Sequence, residues 1–507
     1  MLLHSVFYEA GKKHGHRVAF DSLDYRITYH EFYERSASLA GALEELGVQK
    51  GDRVAILSHN CPDYIIYHCA TAMIGAILLV LNVRHTEGEL LWVLNDARAS
   101  ILIIDGNFTS LLPALTGKCA TINTTISIGN FTGVDHSTDD LVSEGLQIRN
   151  NQSILPTDPI LLIYTSGTTG RPKGALQTHQ GSTMADVLTA DSMSITEKDV
   201  YLAFLPFFHQ AGLIRCRATL SRGGTNIVPG KIDAEKTISL MSEKKVSITF
   251  LPEPLDTQIE ELADRNKLVF PSLRFIIGAG GKGNDHAKKL ENFCRKFKCN
   301  YLGVYGQTET TGTIVTVMGE DYFKNPHTCG KAMKGIDLEI WDNNKYPVRP
   351  GTVGEIMVRS KMCVPGYWNN EQATIELYSG EWLHTGDLAW LDKDAFLHFV
   401  DRKKELIKTG GENVYPREVM DILENHPSID DLAVIGLKDP KWGESVTAVV
   451  VLKHGKDLTL EEIREYCRGK ISGYKIPKIL KIVDEIPRNH TGKILKTLLR
   501  ERFEADS

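Results

Sequence analysis

At 507 residues the chain exceeds what one hydrophobic core ordinarily spans and points to two or three domains. Its 42% hydrophobic and 24% charged content is that of an ordinary soluble globular protein, and a formal net charge of −6 argues against general nucleic-acid affinity. Nine cysteines, scattered without a CxxC pair, suit reduced thiols in a cytosol rather than a disulfide framework or a zinc site.

The chain opens on Met1-Leu-Leu-His-Ser-Val6, which lacks the basic start and long apolar core of a secretory signal. Thr28-Tyr-His-Glu31 fits a capping box, helical spacing follows at Phe32, Leu39, Leu43 and Leu46, and Gly47 supplies a stop. Val54-Ala-Ile-Leu57 predicts a strand, a helix follows Pro62, and Ile77 to Leu81 predicts the next strand. Ala70 to Leu81 is the most apolar stretch, too short for a bilayer span of about 20 residues. No integral membrane segment is expected, and peripheral membrane contact stays open. Thr86-Glu-Gly-Glu89 opens another helix and Ile101-Leu-Ile-Ile-Asp105 another strand. This alternation predicts an α/β fold, with parallel sheet covered by helices. From 107 to 158 the patterning weakens and reads as loop-rich.

The apolar run Ile160-Leu-Leu-Ile163 then ends at Tyr164-Thr-Ser-Gly-Thr-Thr-Gly-Arg-Pro-Lys-Gly174, which reads as a buried strand delivering a loop. Glycine permits positive φ and close approach of a ligand. Successive N–H groups, hydroxyls and Lys173 together suit a polyphosphate, hence a nucleoside triphosphate. Spacing rejects a Walker A loop, Gly-x-x-x-x-Gly-Lys-Ser/Thr. Lys173 sits between Pro172 and Gly174, and the pair Gly492-Lys493 has Pro487 where the first glycine belongs. The bland alternative is a Gly/Thr-rich surface turn; Arg171 and Lys173 together in so short a run favour the nucleotide.

Three further strand candidates, Val246-Ser-Ile-Thr-Phe250, Leu273-Arg-Phe-Ile-Ile277 and Tyr301-Leu-Gly-Val304, each end at a polar or glycine-rich loop. Ligands of open α/β sheets sit beyond the carboxyl ends of strands, so these loops are expected to converge with the 164–174 loop. From 345 onward the turns Val348-Arg-Pro-Gly351, Val364-Pro-Gly366 and Thr385-Gly-Asp387 predict a small β-rich unit. The run Asp401-Arg-Lys-Lys-Glu405 is either solvated surface, as most charge runs are, or a linker. Beyond it, strands at Leu432-Ala-Val-Ile435 and Thr447 to Leu452 and a helix capped by Thr459-Leu-Glu-Glu462 make a self-contained set behind a charged hinge.

Five segments in this order resemble the adenylate-forming superfamily of acyl-CoA synthetases, luciferases and peptide-synthetase adenylation domains. They are Tyr164–Gly174, Tyr305-Gly-Gln-Thr-Glu309, Thr385-Gly-Asp387, Asp401-Arg-Lys-Lys-Glu-Leu-Ile-Lys408 and Pro487-Arg-Asn-His-Thr-Gly-Lys493. Thr409-Gly-Gly-Glu-Asn-Val-Tyr-Pro416, and Phe208-His209 after Leu205-Pro206, are similar in style to fatty-acyl and aryl CoA ligases. The resemblance covers nearly the whole chain. It implies a large N-terminal domain of stacked α/β sheets plus a small β-rich subdomain over 1–400, a hinge at 401–408, and a mobile small C-terminal α+β domain over 409–507.

It also implies an acid–thiol ligase working in two halves. A carboxylate attacks the α-phosphate of ATP, giving acyl-AMP and pyrophosphate; the thiol of coenzyme A then displaces AMP. ATP, Mg²⁺ and coenzyme A are the implied cofactors and a small carboxylic acid the substrate, with no nucleic-acid partner and a homodimer left open. By the family's motifs, Thr165, Ser166, Gly167, Thr168, Thr169, Gly170 and Lys173 hold the β- and γ-phosphates. Thr165 and Glu309 hold Mg²⁺, a hard cation that takes oxygen ligands, and Thr308 joins the catalytic set. Ala279, Gly280 and Gly281 line the adenine, with Gly303, Val304, Tyr305 and Gly306 in the nucleotide set. Lys282 stands where the family has a proline, which leaves that turn in question. Asp387 accepts from ribose hydroxyls and Arg402 reinforces that end, although Thr-Gly-Asp alone is a common turn.

Lys493 is the residue implied to reach the α-phosphate and the acyl carboxylate, stabilising charge without removing a proton. Two unit charges near 4 Å interact by about 4 kcal/mol at an effective dielectric of 20, and one preorganised contact of this kind is worth about 10²–10³ in rate. A solvated tail lysine is the alternative. Lys493 must leave before coenzyme A enters; rotation about Lys404 brings up Lys408, Gly410 and Gly411, the glycines leaving room for the pantetheine arm. A plain turn is the other reading of Gly410-Gly411. His209 matches a gate beside the carboxylate pocket, against the ordinary reading of a core histidine.

Pocket positions are expected around Phe208 to Gly212, Leu251-Pro-Glu-Pro254, Ala279 to Gly281 and Val304, continuing to Thr310-Thr-Gly-Thr313. Ala211, Gly280 and Gly281 leave space for a medium or long chain or a cyclic or aromatic acid, while Gln210 and Glu253 add polarity that a plain fatty-acid tunnel does not need. The rival class is a catalytically silent nucleotide-binding member acting as a sensor or scaffold. Retention of Lys493, Glu309 and Asp387 weighs against it.

Overall fold

The computed structural model describes residues 1–21, 25–148, 153–165, 172–229, 233–251, 255–488 and 494–504. The fold is mixed α/β and divides into two compact units, one of Met1–Leu338 with Val358–Leu383, the other of Glu339–Met357 with His384–Ser507. The larger therefore lies mostly toward the amino end of the chain.

Two sheets form the larger unit. The seven-stranded sheet is mostly parallel, and its centre is made of Ile101–Asp105, Arg53–Leu57, Ile77–Val80 and Pro159–Thr165, in that spatial order. These strands are apolar almost throughout because helices cover both faces. Helices Tyr29–Glu45 and Glu87–Ala97 start as expected: Thr28 and Glu31, and Thr86 and Glu89, form reciprocal capping boxes. The stretch expected to be loop-rich instead contains the strand Thr124–Ile128, which extends the sheet beside Ile101–Asp105, and the helices Leu112–Lys118 and Thr138–Ser143. The strand's threonines hide its alternation, and the second helix is too short to show a period.

The nine-stranded sheet runs from Lys331–Ala332 through Gly312–Met318, Asn300–Gln307, Phe275–Ala279, Ile248–Phe250, Val200–Leu202 and Thr225–Ile227 to Val18–Asp21 and Arg26–Thr28. All three strands expected in the middle of the chain lie in it side by side and parallel. The helices His179–Ser192 and Gln210–Ser221 meet through a buried pair in which Arg217 Nε donates to both oxygens of Asp186, at 3.1 and 3.0 Å. Burial pushes the Asp186 carboxyl up to about 6 despite that guanidinium.

The smaller unit has its own core. The hairpin Ile429–Asp439 and Gly443–Leu452 is flanked by the short hairpin Ile407–Thr409/Glu412–Val414 and by the parallel strand Ile479–Ile482. Helices Pro416–Leu423, Leu460–Cys467 and Lys496–Glu504 supply Leu423, Ile463, Leu499 and Phe503 to cores built on that hairpin. A further five-stranded sheet includes Gly354–Arg359, Trp382–Leu391 and Leu397–Arg402, and Thr385-Gly-Asp387, expected as a turn, lies inside the strand Trp382–Leu391, whose pairing with Leu397–Arg402 reaches Asp387. No described helix is long and apolar enough to cross a membrane.

Candidate functional site

In the larger unit the strand Pro159–Thr165 carries the chain to the glycine-rich loop, and Lys173–Thr178 returns antiparallel to it with Thr165 opposite Lys173. Thr165 Oγ1 donates to the Lys173 carbonyl at 3.4 Å. Ser166, Gly167, Thr168, Thr169 and Gly170 lie outside the described residues, so the expected phosphate cradle is bounded here by its two ends. Lys173 Nζ stands 5.3 Å from the centroid of the Tyr367 ring, and the Tyr367 hydroxyl donates to Glu309 Oε1 at 2.7 Å. One phenol thus links the lysine of one sheet to the carboxylate at the end of the other. Burial, then the Glu309 charge that accepts its proton, drive the Tyr367 pKa well up, so it is a neutral donor at any working pH.

The backbone explains why Tyr367 sits there. The segment after Cys363 crosses between the sheets: Val364 N donates to the Glu309 carbonyl at 2.9 Å, Leu176 N to the Gly366 carbonyl at 3.2 Å, and Trp368 N to the Gly174 carbonyl at 2.7 Å. Tyr367 pairs with Ala175 as a bridge. Glu309 lies in a single 3₁₀ turn, Thr308–Thr310, closed by Thr311 at φ 52°. Thr311 is pinned in turn by its hydroxyl, which donates to the Met362 carbonyl. Glu309 and Thr308 are half-buried, and Glu309 is one oxygen-donor ligand of the kind Mg²⁺ takes alongside phosphates and water. No group of three or more His, Cys, Asp or Glu among the described residues could hold a metal alone. Tyr367 was not legible in the sequence; the aromatic pair after the Val364-Pro-Gly366 turn was its only signal.

Strand pairing brings the expected adenine wall together. Gly278 lies opposite Gly303 and Ala279 opposite Val304. A side chain on Gly303 would come within 2.6 Å of Val317, and one on Gly306 within 2.0 Å of the Gly312 carbonyl oxygen. Glycine is therefore demanded there by packing as well as by any ligand. Lys282 is exposed between Gly281 and Gly283, whose φ values of 76° and 92° make the turn without a proline. Tyr305 is half-buried beside these glycines.

His209 precedes the helix Gln210–Ser221 and packs against Phe208, ring centroids 4.5 Å apart. It is half-buried, unlike an ordinary core histidine. Gln210 Nε2 donates to the Thr311 carbonyl at 2.9 Å, tying this helix to the turn that carries Glu309. Of the expected pocket, 252–254 with Glu253 lies outside the described residues.

In the smaller unit Asp387 and Arg402 are strand partners, with Arg402 Nε 3.6 Å from Asp387 Oδ1. The Asp387 carboxylate is almost fully buried, and its N–H donates to Thr385 Oγ1 at 3.1 Å. Beneath it lies Glu355, paired with Lys403 at 2.8 Å and His384 at 3.1 Å and accepting from the Gly386 N–H at 3.1 Å. Burial alone would raise the Glu355 pKa, but hydrogen bonds from His384 and Lys403 outweigh it and hold the carboxyl down to about 2. The charge run is thus not plain solvated surface: Arg402 and Lys403 engage these carboxylates, and Glu405 pairs with Lys496 at 2.7 Å. Lys404 is exposed, in the 3₁₀ turn Lys403–Glu405.

Gly410 and Gly411, φ 61° and 83°, form the two-residue turn of a hairpin in which Lys408 faces Asn413. Lys408 is exposed, and its N–H donates to Glu444 Oε2 at 2.7 Å. A turn is therefore what these glycines make, whatever they accommodate. Lys493 lies outside the described residues.

The family profile described as AMP-binding enzyme matches residues 7–368, and that of the AMP-binding enzyme C-terminal domain matches residues 418–493. The chain is 31% identical over 488 residues to the 2-succinylbenzoate–CoA ligase of Bacillus cereus, covering 96% of each chain. It is 30% identical over 493 residues to the long-chain-fatty-acid–CoA ligase FadD13 of Mycobacterium tuberculosis, covering 96% of this chain and 94% of that one. Its fold matches the o-succinylbenzoate CoA synthetase of Bacillus subtilis, solved with the acyl-adenylate intermediate OSB-AMP. That match has a TM-score of 0.84 and 29% identity over 98% of this chain and 97% of that one.

Proposed function

The chain belongs to the AMP-binding enzyme family, and from that membership we propose how its own residues divide the reaction. It is an AMP-forming acyl-CoA ligase with ATP, coenzyme A and a carboxylic acid as substrates and Mg²⁺ as the usual ion. The comparisons lend nothing to a silent sensor or scaffold. The acid belongs to one of the two classes named for the relatives, aryl or fatty.

In the first half-reaction a carboxylate oxygen of the acid bonds to the α-phosphorus, and the bond to the β-phosphate bridging oxygen breaks, releasing pyrophosphate. Lys173 and the 165–170 loop hold the β- and γ-phosphates. Glu309, oriented by the Tyr367 hydroxyl, and Thr165 hold Mg²⁺, which offsets phosphate charge. Asp387 accepts from the ribose hydroxyls, with Arg402 keeping its carboxylate in place. Ala279 to Gly281 and Gly303 to Gly306 form the wall against the base, and His209 gates the acid. Lys493 neutralises the anions that crowd together as the bond forms. In the second half the thiol, losing its proton to solvent, attacks the acyl carbon, and AMP leaves.

Residues 401–408 act as the hinge about Lys404 between these halves, after which Lys408, Gly410 and Gly411 serve the coenzyme A arm. A cytoplasmic setting and a homodimer belong to the same proposal. The observation that supports the reading is the chain Lys173–Tyr367–Glu309, in which one neutral donor joins the cation at the end of the glycine-rich loop to a carboxylate. The test is pyrophosphate release from ATP and Mg²⁺ with a panel of aryl and fatty acids, followed by AMP formation with coenzyme A. Release with some acids, and thioester only when coenzyme A is added, is expected; no release with any acid contradicts it.

A further inference from the structure

Asp96 stands in the last turn of the helix Glu87–Ala97, where the helix dipole opposes a carboxylate. Its neighbours supply a reason for it to be there. The carboxylate accepts from the Tyr164 hydroxyl at 2.5 Å, a length proper to a hydroxyl bonded to a charged oxygen. The Asp96 carbonyl, one of the last four that a helix leaves without an intrahelical donor, accepts from Trp368 Nε1 and Asn369 Nδ2, both at 3.1 Å. Arg53 closes the group: its Nε donates to the Ala97 carbonyl at 2.6 Å, and its Cζ lies 4.9 Å from the centroid of the Trp368 ring. Tyr164, Trp92 and Trp368 all pack on the core to which this helix gives Leu90, Val93 and Leu94. One residue therefore holds two segments that lie far apart in the chain.

Both segments border the glycine-rich loop. Tyr164 precedes Thr165 on the strand that enters it, Gly174 follows Lys173 on the strand that leaves it, and the two lie opposite each other. Trp368 N donates to the Gly174 carbonyl at 2.7 Å. Asp96 thus grips the entering strand through its carboxylate, and the leaving strand through its carbonyl by way of Trp368. The Tyr164 ring fills the space over Gly174, where a Cβ would come within 3.0 Å of Tyr164 Cζ and 2.9 Å of Leu162 Cδ1. The last glycine of the motif makes room for the side chain that reaches Asp96. Trp92, one turn before Asp96 on the same helix face, meets the Tyr164 ring edge-on, centroids 5.6 Å apart. Burial first, then the hydrogen bond to Asp96, drives the Tyr164 pKa well up, so its hydroxyl stays a donor. Packing a helix end onto a sheet would account for Trp368 and Arg53. It does not call for a charged acceptor on the residue next to Thr165.

Resting on the ligase reading, we propose that Asp96 is a positioning residue for adenylation: its carboxylate anchors Tyr164 and so fixes Thr165 and Lys173 at the spacing that the triphosphate and its Mg²⁺ require. The consequence is selective. On the proposed roles, Thr165 and Lys173 serve the half-reaction in which pyrophosphate leaves, and acyl-AMP has no β- or γ-phosphate for them to hold. The anchor therefore governs the use of ATP and leaves thioester formation alone, whereas a merely structural contact would weaken both halves together.

The test measures pyrophosphate release against ATP concentration on the full-length enzyme, and beside it thioester formation from supplied acyl-AMP and coenzyme A. The variants are Asp96→Ala, Asp96→Asn and Tyr164→Phe; the last keeps the ring over Gly174 and removes only the donor. Asp96→Ala and Tyr164→Phe are expected to lower kcat/KM for ATP by about tenfold or more, since a small displacement of positioning groups is costly in rate. Their thioester formation stays close to wild type. Asp96→Asn, which keeps an acceptor, falls less than Asp96→Ala, and the double variant Asp96→Ala/Tyr164→Phe falls no further than the worse single one, because both lose the same contact. Unchanged ATP kinetics in Tyr164→Phe, or thioester formation falling by the same factor as pyrophosphate release, overturns the proposal and leaves the ligase intact. Wild-type enzyme that releases no pyrophosphate with any acid overturns both. Should the Asp96 variants fail to fold, Tyr164→Phe decides alone.

Discussion

Tyr367 shows how much one side chain contributes without touching the reacting bond. Its hydroxyl donates to Glu309 while its ring faces Lys173, so it fixes the carboxylate's orientation and, on the proposed roles, would leave the other oxygen for an ion. Tyr367→Phe keeps the ring and removes the donor. A hydrogen bond to a charged group is worth about 1.5–3 kcal/mol, so kcat/KM for ATP should fall about tenfold or more, with a higher Mg²⁺ concentration needed for half-maximal pyrophosphate release. An unchanged Mg²⁺ dependence would separate Tyr367 from the metal. Glu309, Lys173, Asp387 and Arg402 could be nominated from the sequence because their motifs are local. Tyr367 and Glu355 could not, because each takes its meaning from partners far away in sequence.

At the scale of elements, the strand pair Asn300–Gln307 and Gly312–Met318 aims Glu309, and its closeness depends on Gly306. Gly306→Ala would set a methyl 2.0 Å from a backbone oxygen that cannot rotate away. Thermal unfolding should show a loss of about 1–3 kcal/mol, with adenylation falling further than stability; a neutral substitution would mean that the pair can open freely. A second element-scale feature is acid sensitivity. His68, in helix Pro62–Met73, and His179, at the start of helix His179–Ser192, are both fully buried. His68 has no hydrogen-bond partner for either nitrogen, while His179 Nδ1 accepts from Leu3 N at 3.1 Å. Burial first, then neighbouring positive charge, lowers both, His179 to about 3. Both pKa values are depressed below about 6.5 in the unfolded chain, so the unfolded state takes up protons first. The stability is whole above pH 6.5 and drains away as pH falls toward 3, by up to about 1.4 kcal/mol per pH unit for each proton. His68→Leu should lie within about 1 kcal/mol of wild type at pH 7.5, because it exchanges an unsatisfied polar group for an apolar one. It should lose stability less steeply in urea unfolding between pH 6.5 and 4; identical slopes would exclude His68 from the acid response. The capping boxes and apolar strands were readable from the sequence. The strand Thr124–Ile128 was not, since its register with a neighbour decides it.

At the scale of the whole molecule, helix–strand alternation carried the α/β class and the order of five short motifs carried the ligase reading, and the family match and solved relatives agree with both. The identity of the acid was not legible, because it depends on which side chains meet beneath the gate. The division of labour between the two halves of the reaction rests on Lys493 serving adenylation alone, with Lys408 and the Gly410-Gly411 turn serving thioester formation. The decisive measurement is therefore Lys493→Ala assayed separately in each half-reaction: pyrophosphate release from acid and ATP, and thioester formation from supplied acyl-AMP and coenzyme A. The account predicts that the first falls by about 10²–10³ while the second stays within a few-fold of wild type; equal loss of both, or no loss of the first, would contradict it.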